Sequence, residues 1–191
     1  MTSLSIAYFP PLSYFSLLAG GEVFLEAFES FQKQSWRNRC RILTANGPQY
    51  LSFPVIHYGG SFKHPIQETF VDYSTPWLQR HKRAIDSAYR SSAFFDYYRD
   101  PLYAVLDSRP ERLWDLDFEI IRFFCDSLHL PLPQLTASYQ GPGVDIHPKH
   151  PDPVYKEKPY FQVFGLKWGF VGNLSVMDLL FNEGEGGAAL L

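Results

Sequence analysis

The first 25 residues carry the pattern that most restricts the fold of this chain. Ser3–Phe9 reads as a strand that ends at Pro10-Pro11, because proline removes a ladder donor and fixes its own φ. A short helix over Leu12–Ala19 follows, which Gly20-Gly21 can close, and Val23–Leu25 forms a second strand. The order strand, helix, strand predicts an N-terminal βαβ-like unit with a parallel pair, and therefore an α/β fold.

A hairpin is predicted directly after this unit. Arg39–Thr44 and Tyr50–Ile56 are apolar-rich runs separated by a segment that contains Asn46-Gly47, which is a strong hairpin signal. Ile66–Val71 alternates apolar and polar residues and is predicted to be a further strand. The sheet is therefore expected to be mixed.

The middle of the chain is predicted to be helical. Apolar residues recur at helical spacing from Trp77 onward, over Ala93–Leu106, where Asp100-Pro101 should interrupt the helix, and over the amphipathic stretch Glu111–Leu128. Gln134–Ser138 is a candidate for a further strand of the sheet, and a last helix is expected over 174–182, buried on most sides.

Length and composition favour one domain. The chain has 191 residues, of which 46% are hydrophobic, so one core suffices, and we expect a single α/β domain over residues 1–184 with a flexible tail over 185–191. The net charge of −3 gives no basic field for nucleic acid. No apolar run approaches the ~20 residues of a membrane span, and the N-terminus lacks a secretion signal. A soluble, cytoplasmic protein without a transmembrane segment is expected.

No metal site is predicted. Cys40 and Cys125 are far apart and are interpreted as buried small side chains, although one bridge between them stays open. The loop over residues 140–159 is either functional or disordered. It contains His147 and His150, but proline interrupts any regular presentation of zinc ligands, so a solvated loop is favoured.

Two N-terminal blocks are candidates for a binding site. Tyr8 and Tyr14 lie where a strand enters a helix, a usual place for ligands in open α/β sheets, or they pack on the sheet. The block that ends in Arg37, Asn38 and Arg39 brings three cations and three amides into eight residues. Guanidinium groups bind phosphate or carboxylate, so this block is a candidate anion-binding site. The alternative is that its charges belong to a solvated strand edge. Arg37 and Arg39 should share a face, and one cleft with both tyrosines, if this stretch is extended.

Three further residues are candidates by position. His81 shares a helical stripe with Trp77 and is either a structural histidine or a general base. Asn182 and Glu183 end the last predicted helix, where the helix dipole does not favour an acidic group, which hints at a role beyond stability. Asp178 fits the first turn of the same helix and has a structural explanation. We expect Asn182 and Glu183 to complete the tyrosine cleft.

The blocks Ile6–Phe15, Gln32–Arg39, Trp77–Tyr89 and Asp178–Gly184 together resemble the WbqC-like protein family, which is associated with bacterial surface-polysaccharide and O-antigen gene clusters. In the context that this resemblance supplies, the amide and guanidinium groups near an α/β strand end predict a transferase or ligase that modifies a nucleotide-linked or lipid-linked sugar, with no cofactor identified. The alternative is a non-catalytic binding or scaffold protein that docks a polysaccharide-biosynthesis enzyme. The partner is then either this enzyme or a second copy of the chain in a homodimer. In the first case, Arg37 and Arg39 would bind the anion and His81 or Glu183 would handle a proton.

Overall fold

The computed structural model of the chain describes residues 2–56, 64–141, 143–150 and 155–191. Over these residues it contains five short strands and six α-helices in one compact α/β domain. In chain order they are β1 (Thr2–Leu4), α1 (Leu12–Gly20), β2 (Val23–Leu25), β3 (Arg39–Thr44), β4 (Gly47–Ser52), α2 (Trp77–Tyr89), α3 (Phe95–Asp107), α4 (Leu113–Ser127), β5 (Gln134–Leu135), α5 (Gly165–Trp168) and α6 (Val176–Glu183).

The N-terminal βαβ-like unit is confirmed. β1 and β2 are parallel, α1 connects them, and β5 adds a third parallel strand on the other side of β2. β1 is shorter than predicted because the chain leaves the sheet after Leu4. The following residues are buried in the core, where the Tyr8 amide donates to the carbonyl of Trp36 at 2.8 Å. Three strands therefore end at one common edge of a small parallel sheet.

The predicted hairpin is also present, as the antiparallel pair β3–β4. Thr44 pairs with Gly47 across the two-residue loop Ala45-Asn46, and Gly47 takes a φ of +100°. The hairpin forms a sheet of its own in the described residues, so the parallel and antiparallel pairs of the α/β fold lie in two sheets. The reason is local, since a 3₁₀ turn over Trp36–Asn38 separates β3 from the parallel sheet.

Two local predictions were wrong. Ile66–Val71 is not a strand, because Pro65 is followed by a 3₁₀ turn over Ile66–Glu68. Helix α3 is not interrupted, since it continues through Pro101. Leu102 and Leu106, both fully buried, hold the C-terminal half of α3 on the core and offset the missing N–H of the proline.

The last helix is buried on most sides, as predicted. Residues 176–182 of α6 are all buried. The segment after it, expected to be a flexible tail, forms a 3₁₀ helix over Gly184–Leu190. It folds back on α6 because Gly187 has no side chain: a Cβ there would lie 2.9 Å from Leu179 Cγ. None of the helices in the described ranges has the length and apolar character that a membrane crossing requires.

Candidate functional site

Polar side chains, most of them buried, lie at the carboxyl edge of the parallel sheet. Ser5 and Glu26 follow β1 and β2, and Thr136 follows β5. Glu26 is fully buried and accepts hydrogen bonds from the Thr136 hydroxyl at 3.1 Å and the Gln140 amide at 2.7 Å. Ligands of open α/β sheets bind outside this edge, which makes it a candidate binding site.

Arg37 is buried at this edge and is already paired. Ser35 begins its 3₁₀ turn by accepting from the Arg37 amide. The Arg37 Nε donates to Glu29 Oε1 at 3.0 Å, and its Nη2 donates to Ser5 Oγ at 2.7 Å and to the second Glu29 oxygen. Glu29 is 4% exposed and Arg37 is 5% exposed. The positive charge of Arg37 is therefore balanced inside the protein.

A small crevice lies beside this pair. It has a volume of about 10 Å³ and is lined by residues 4–7, Tyr14, Trp36, Arg37, Val144 and Ile146. This volume is about that of one water molecule. The structure thus brings Tyr14 and Arg37 to one crevice, which is too small for a metabolite.

Tyr8 and His81 form a second internal pair. Their hydroxyl and Nδ1 lie 2.9 Å apart, and His81 Nε2 lies 3.1 Å from the carbonyl of Ser52. A carbonyl only accepts, so Nε2 carries the proton and Nδ1 accepts from Tyr8. Burial lowers the pKa of His81 to about 4. The ring is neutral at pH 7, and both nitrogens are occupied.

The other predicted site residues of the N-terminal half also bond internally. The Tyr14 hydroxyl donates to the carbonyl of Ser5 at 3.0 Å, and Asn38 Nδ2 donates to that of Phe53 at 2.8 Å. Arg39 lies 5.7 Å from the ring centre of Tyr50. The expectation that Arg37 and Arg39 share a face does not hold, because Arg37 belongs to a 3₁₀ turn and not to an extended strand.

The candidates in α6 lie around a different carboxylate, Asp178. It is buried and accepts from the Tyr160 hydroxyl at 2.6 Å and from Gln162 Nε2 at 3.0 Å, and burial raises its pKa to about 6. Asn182 Nδ2 donates to the carbonyl of Asp178 at 2.8 Å, and Glu183 accepts from the amide of residue 161 at 3.2 Å. Asn182 and Glu183 make no described hydrogen bond to Tyr8 or Tyr14. The expected link between the end of α6 and the two tyrosines is therefore not seen among these bonds.

A larger cavity opens on the other side of Trp36, and we name it the basic-aromatic pocket. Its volume is about 290 Å³. Its lining residues are Trp36, Arg41, Tyr50, His147, Pro148, Lys149, His150, Tyr155, Glu157, Gly172 and Asn173.

The hairpin supplies the first wall of this pocket. Along β3, Arg39 and Arg41 alternate with the buried Cys40 and Ile42, so both arginines project from the outer face of the hairpin. Arg41 pairs in register with Tyr50 on β4. The rings of Tyr50 and Trp36 lie 6.0 Å apart, and both line the pocket together with Arg41.

The segment 143–150 supplies the second wall. It is tied to β1 where the Gly143 and Val144 amides donate to the carbonyl of Ser3 at 3.0 and 3.2 Å. The turn beyond it is closed by the His150 amide, which donates to the carbonyl of His147 at 3.1 Å. The Lys149 amide also donates to His147 Nδ1 at 3.2 Å. Burial lowers the pKa of His147 and so favours its neutral ring. Because Nδ1 accepts from the Lys149 amide, the proton of the neutral ring lies on Nε2.

The third wall comes from the segment that precedes α6. A Cβ on Gly172 would overlap the carboxyl group of Glu157, so the carboxylate occupies the space that a side chain at 172 would fill. Asn173, at a φ of +48°, accepts from the Ser13 amide through Oδ1 at 2.8 Å. This bond ties the wall to the first turn of α1.

Comparison with known proteins places the chain in a family. The model of the WbqC-like protein family matches residues 7–150. The chain belongs to this family. A curated relative, the uncharacterized protein Rv1507c of Mycobacterium tuberculosis, is 33% identical over 126 residues, which are 63% of this chain and 52% of that protein. The chain thus spans about half the length of this relative. No solved structure matches it significantly.

The family match covers two of the three walls in this WbqC-like protein. The hairpin and the turn at 147–150 lie within it, whereas Glu157, Gly172 and Asn173 lie beyond residue 150. Sequence reasoning did not select Arg41 or Glu157. Two signals pointed toward them: the alternation of arginine with apolar residues from Arg39 onward, and the polar composition of residues 140–159.

Proposed function

We propose that this WbqC-like protein is a transferase or ligase that modifies a nucleotide-linked or lipid-linked sugar in bacterial surface-polysaccharide biosynthesis, and that the basic-aromatic pocket is its substrate site. The observation that carries the proposal is the convergence of Arg41, Lys149 and two histidines with Trp36 and Tyr50 around one open cavity. Cationic groups beside aromatic faces suit a ligand that has both phosphate and a ring.

The residues selected from the sequence take different places in this proposal. Arg39 remains a candidate for anion binding, since it projects from the same face of the hairpin as Arg41. Tyr8, Tyr14, Arg37 and Asn38 form the framework behind Trp36. His81 has no free ring nitrogen. Glu183 and Asn182 are not among the lining residues, so we assign proton handling to side chains that face the pocket.

Binding and turnover test the proposal together. Isothermal titration calorimetry and thermal unfolding are run against a panel of nucleotide-linked sugars, with nucleoside diphosphates and free sugars as comparisons. We expect at least one nucleotide-linked sugar to raise the melting temperature, because a ligand that binds only the folded state stabilises it by mass action. Release of the nucleotide, followed by chromatography, then measures transfer. If no nucleotide-linked sugar binds at millimolar concentration, the proposal is wrong.

One observation favours the scaffold alternative. Phe161 is 64% exposed and Leu166 is fully exposed on the segment around α5. Lys167 and Trp168 anchor this segment to the hairpin turn by donating to the carbonyl of Ala45. Exposed apolar groups of this kind occur at docking surfaces. Analytical ultracentrifugation of wild type and a Leu166→Ser variant tests this alternative: it predicts concentration-dependent association that the substitution weakens, and a strict monomer that binds sugar nucleotides argues against it.

A further inference from the structure

Arg41 and Lys149 of the basic-aromatic pocket form no ion pair with another residue in the part of the chain that the structure describes. Arg37, Lys82 and Arg99, in contrast, each have a carboxylate partner. Unpaired cations that line a concave site are available to an external anion. His147 adds an N–H donor through Nε2, because its Nδ1 already accepts from the backbone of Lys149.

The same pocket contains one carboxylate, that of Glu157. It is not within ion-pair distance of Arg41 or Lys149, so it does not neutralise them. Gly172 leaves the space in which this carboxylate lies. An ionised carboxylate is an acceptor only, and it matches a hydroxyl or amine donor on a ligand.

The size of the pocket narrows the choice of ligand. Ligand pockets commonly have volumes of about 300–1,000 Å³, and the 290 Å³ measured here is at the small end. This space suits one phosphorylated sugar unit better than an entire nucleotide-linked sugar. The aromatic side chains of Trp36 and Tyr50 offer a face against which a sugar ring can pack.

We propose that the basic-aromatic pocket binds the sugar-phosphate part of its ligand, with Arg41 and Lys149 on the phosphate and Glu157 on a hydroxyl or amino group of the sugar. The assignment deepens the proposed function and rests on the same pocket. It gives Glu157, which lies outside the family match, the role of a specificity-determining residue.

The test is calorimetric titration of the intact chain with inorganic phosphate, free hexoses and a panel of hexose 1-phosphates that includes the gluco, galacto, manno and 2-amino-2-deoxy forms. We expect one hexose 1-phosphate to bind about 10-fold or more tightly than inorganic phosphate, since a hydrogen bond to a charged group contributes about that factor. Arg41→Gln should weaken binding of both phosphate probes about 10-fold. Glu157→Gln should weaken only the sugar phosphate.

Two further variants complete the design. Gly172→Ala displaces the Glu157 carboxylate without changing any charge, and it should reproduce the effect of Glu157→Gln. Arg83→Gln removes a positive charge from an exposed position of α2 outside the pocket and should leave every affinity unchanged. Thermal melting confirms that each variant is folded.

The inference is wrong if no hexose 1-phosphate binds more tightly than phosphate, if Arg41→Gln and Arg83→Gln behave alike, or if Glu157→Gln weakens both probes equally. These outcomes are separable from failure of the proposed function. A protein that binds a hexose 1-phosphate as described but neither binds nor turns over nucleotide-linked sugars keeps the inference and loses the transferase.

Discussion

Arg37 and Arg41 lie four residues apart, and their surroundings differ in one decisive respect. Arg37 is buried, and Glu29 and Ser5 accept from its guanidinium. Arg41 is half-buried at a cavity of about 290 Å³ and belongs to no ion pair of the described residues. The first arginine has its partners inside the protein, and the second is open to partners from outside.

The same contrast separates the internal and external polar groups of the whole molecule. Tyr8, His81 and Asp178 are buried and hydrogen-bonded to other protein groups. Lys149 and Glu157 line one cavity, and neither forms an ion pair with another described residue. Residue type and chain position do not distinguish the two classes. The difference is whether a polar group still has hydrogen-bonding capacity that a ligand can use.

The largest effect is expected from Arg37→Gln. The substitution leaves Glu29 as a buried carboxylate without its cation, and breaking a buried pair in this way costs about 3–5 kcal/mol. Urea unfolding measures the change. The control is Asp107→Asn, which removes the partner of Lys82 in an exposed pair and should cost less than about 1 kcal/mol. Equal costs for the two variants would contradict the contrast.

The next effect concerns pH and Asp178. Its folded pKa of about 6 lies above the ordinary value, so the folded state holds this proton more tightly than the unfolded state. The stability from this group is therefore greatest below pH ~4 and is lost as the pH rises toward ~6, by about 3 kcal/mol in total. Asp178→Asn removes the titration.

The measurement is the free energy of unfolding of wild type and Asp178→Asn across this pH window. The wild type should lose stability relative to the variant as the pH rises. His81 titrates in the opposite sense, since its folded pKa is lowered to about 4, but it is present in both proteins and cancels in the difference. A pH-independent difference would show that Asp178 is not perturbed.

A smaller effect is expected from Tyr8→Phe. The substitution removes the donor to His81 Nδ1 and leaves a buried acceptor unpaired, which costs about 1–3 kcal/mol. Tyr97→Phe is the matched control, because Tyr97 is 74% exposed. It should change stability by less than about 0.5 kcal/mol. Ligand binding by Tyr8→Phe should stay intact, and a selective loss of binding would return Tyr8 to the substrate site.

The local fold was predictable where proline, glycine or asparagine residues restrict the backbone at the ends of helices and strands. Pro10-Pro11 and Gly20-Gly21 delimit α1, and Asn46-Gly47 sets the hairpin turn. The prediction failed where packing against residues distant in sequence determines whether a helix continues. Helix α3 passes through Pro101 because buried leucines on the far side hold it, and no local pattern reports those contacts.

The site was less predictable because its partners are remote in sequence. The block around Arg37 was selected because its guanidinium could bind an anion. Glu29 and Ser5, which accept hydrogen bonds from this guanidinium, lie 8 and 32 residues away. The Tyr8–His81 bond spans 73 residues. The basic-aromatic pocket joins three separate segments of the chain. The sequence indicated two of them, through the alternation of arginine with apolar residues from Arg39 onward and the polar composition of residues 140–159, but it did not indicate that they meet.

The smallest effect on stability is expected from Arg41→Gln, the same substitution as Arg37→Gln at the neighbouring site. Arg41 is half-buried and belongs to no ion pair of the described residues. Its backbone carbonyl accepts from the Ser175 amide at 2.9 Å, and this bond survives the change. The free energy of unfolding should therefore stay within about 0.5 kcal/mol of wild type. Arg39→Gln should cost slightly more than Arg41→Gln, since it also removes the contact between the guanidinium and the Tyr50 ring, which contributes about 0.5–1 kcal/mol. If Arg41→Gln instead costs as much as Arg37→Gln in the same urea titration, the Arg41 guanidinium holds the walls of the pocket together, and it is not available to a ligand.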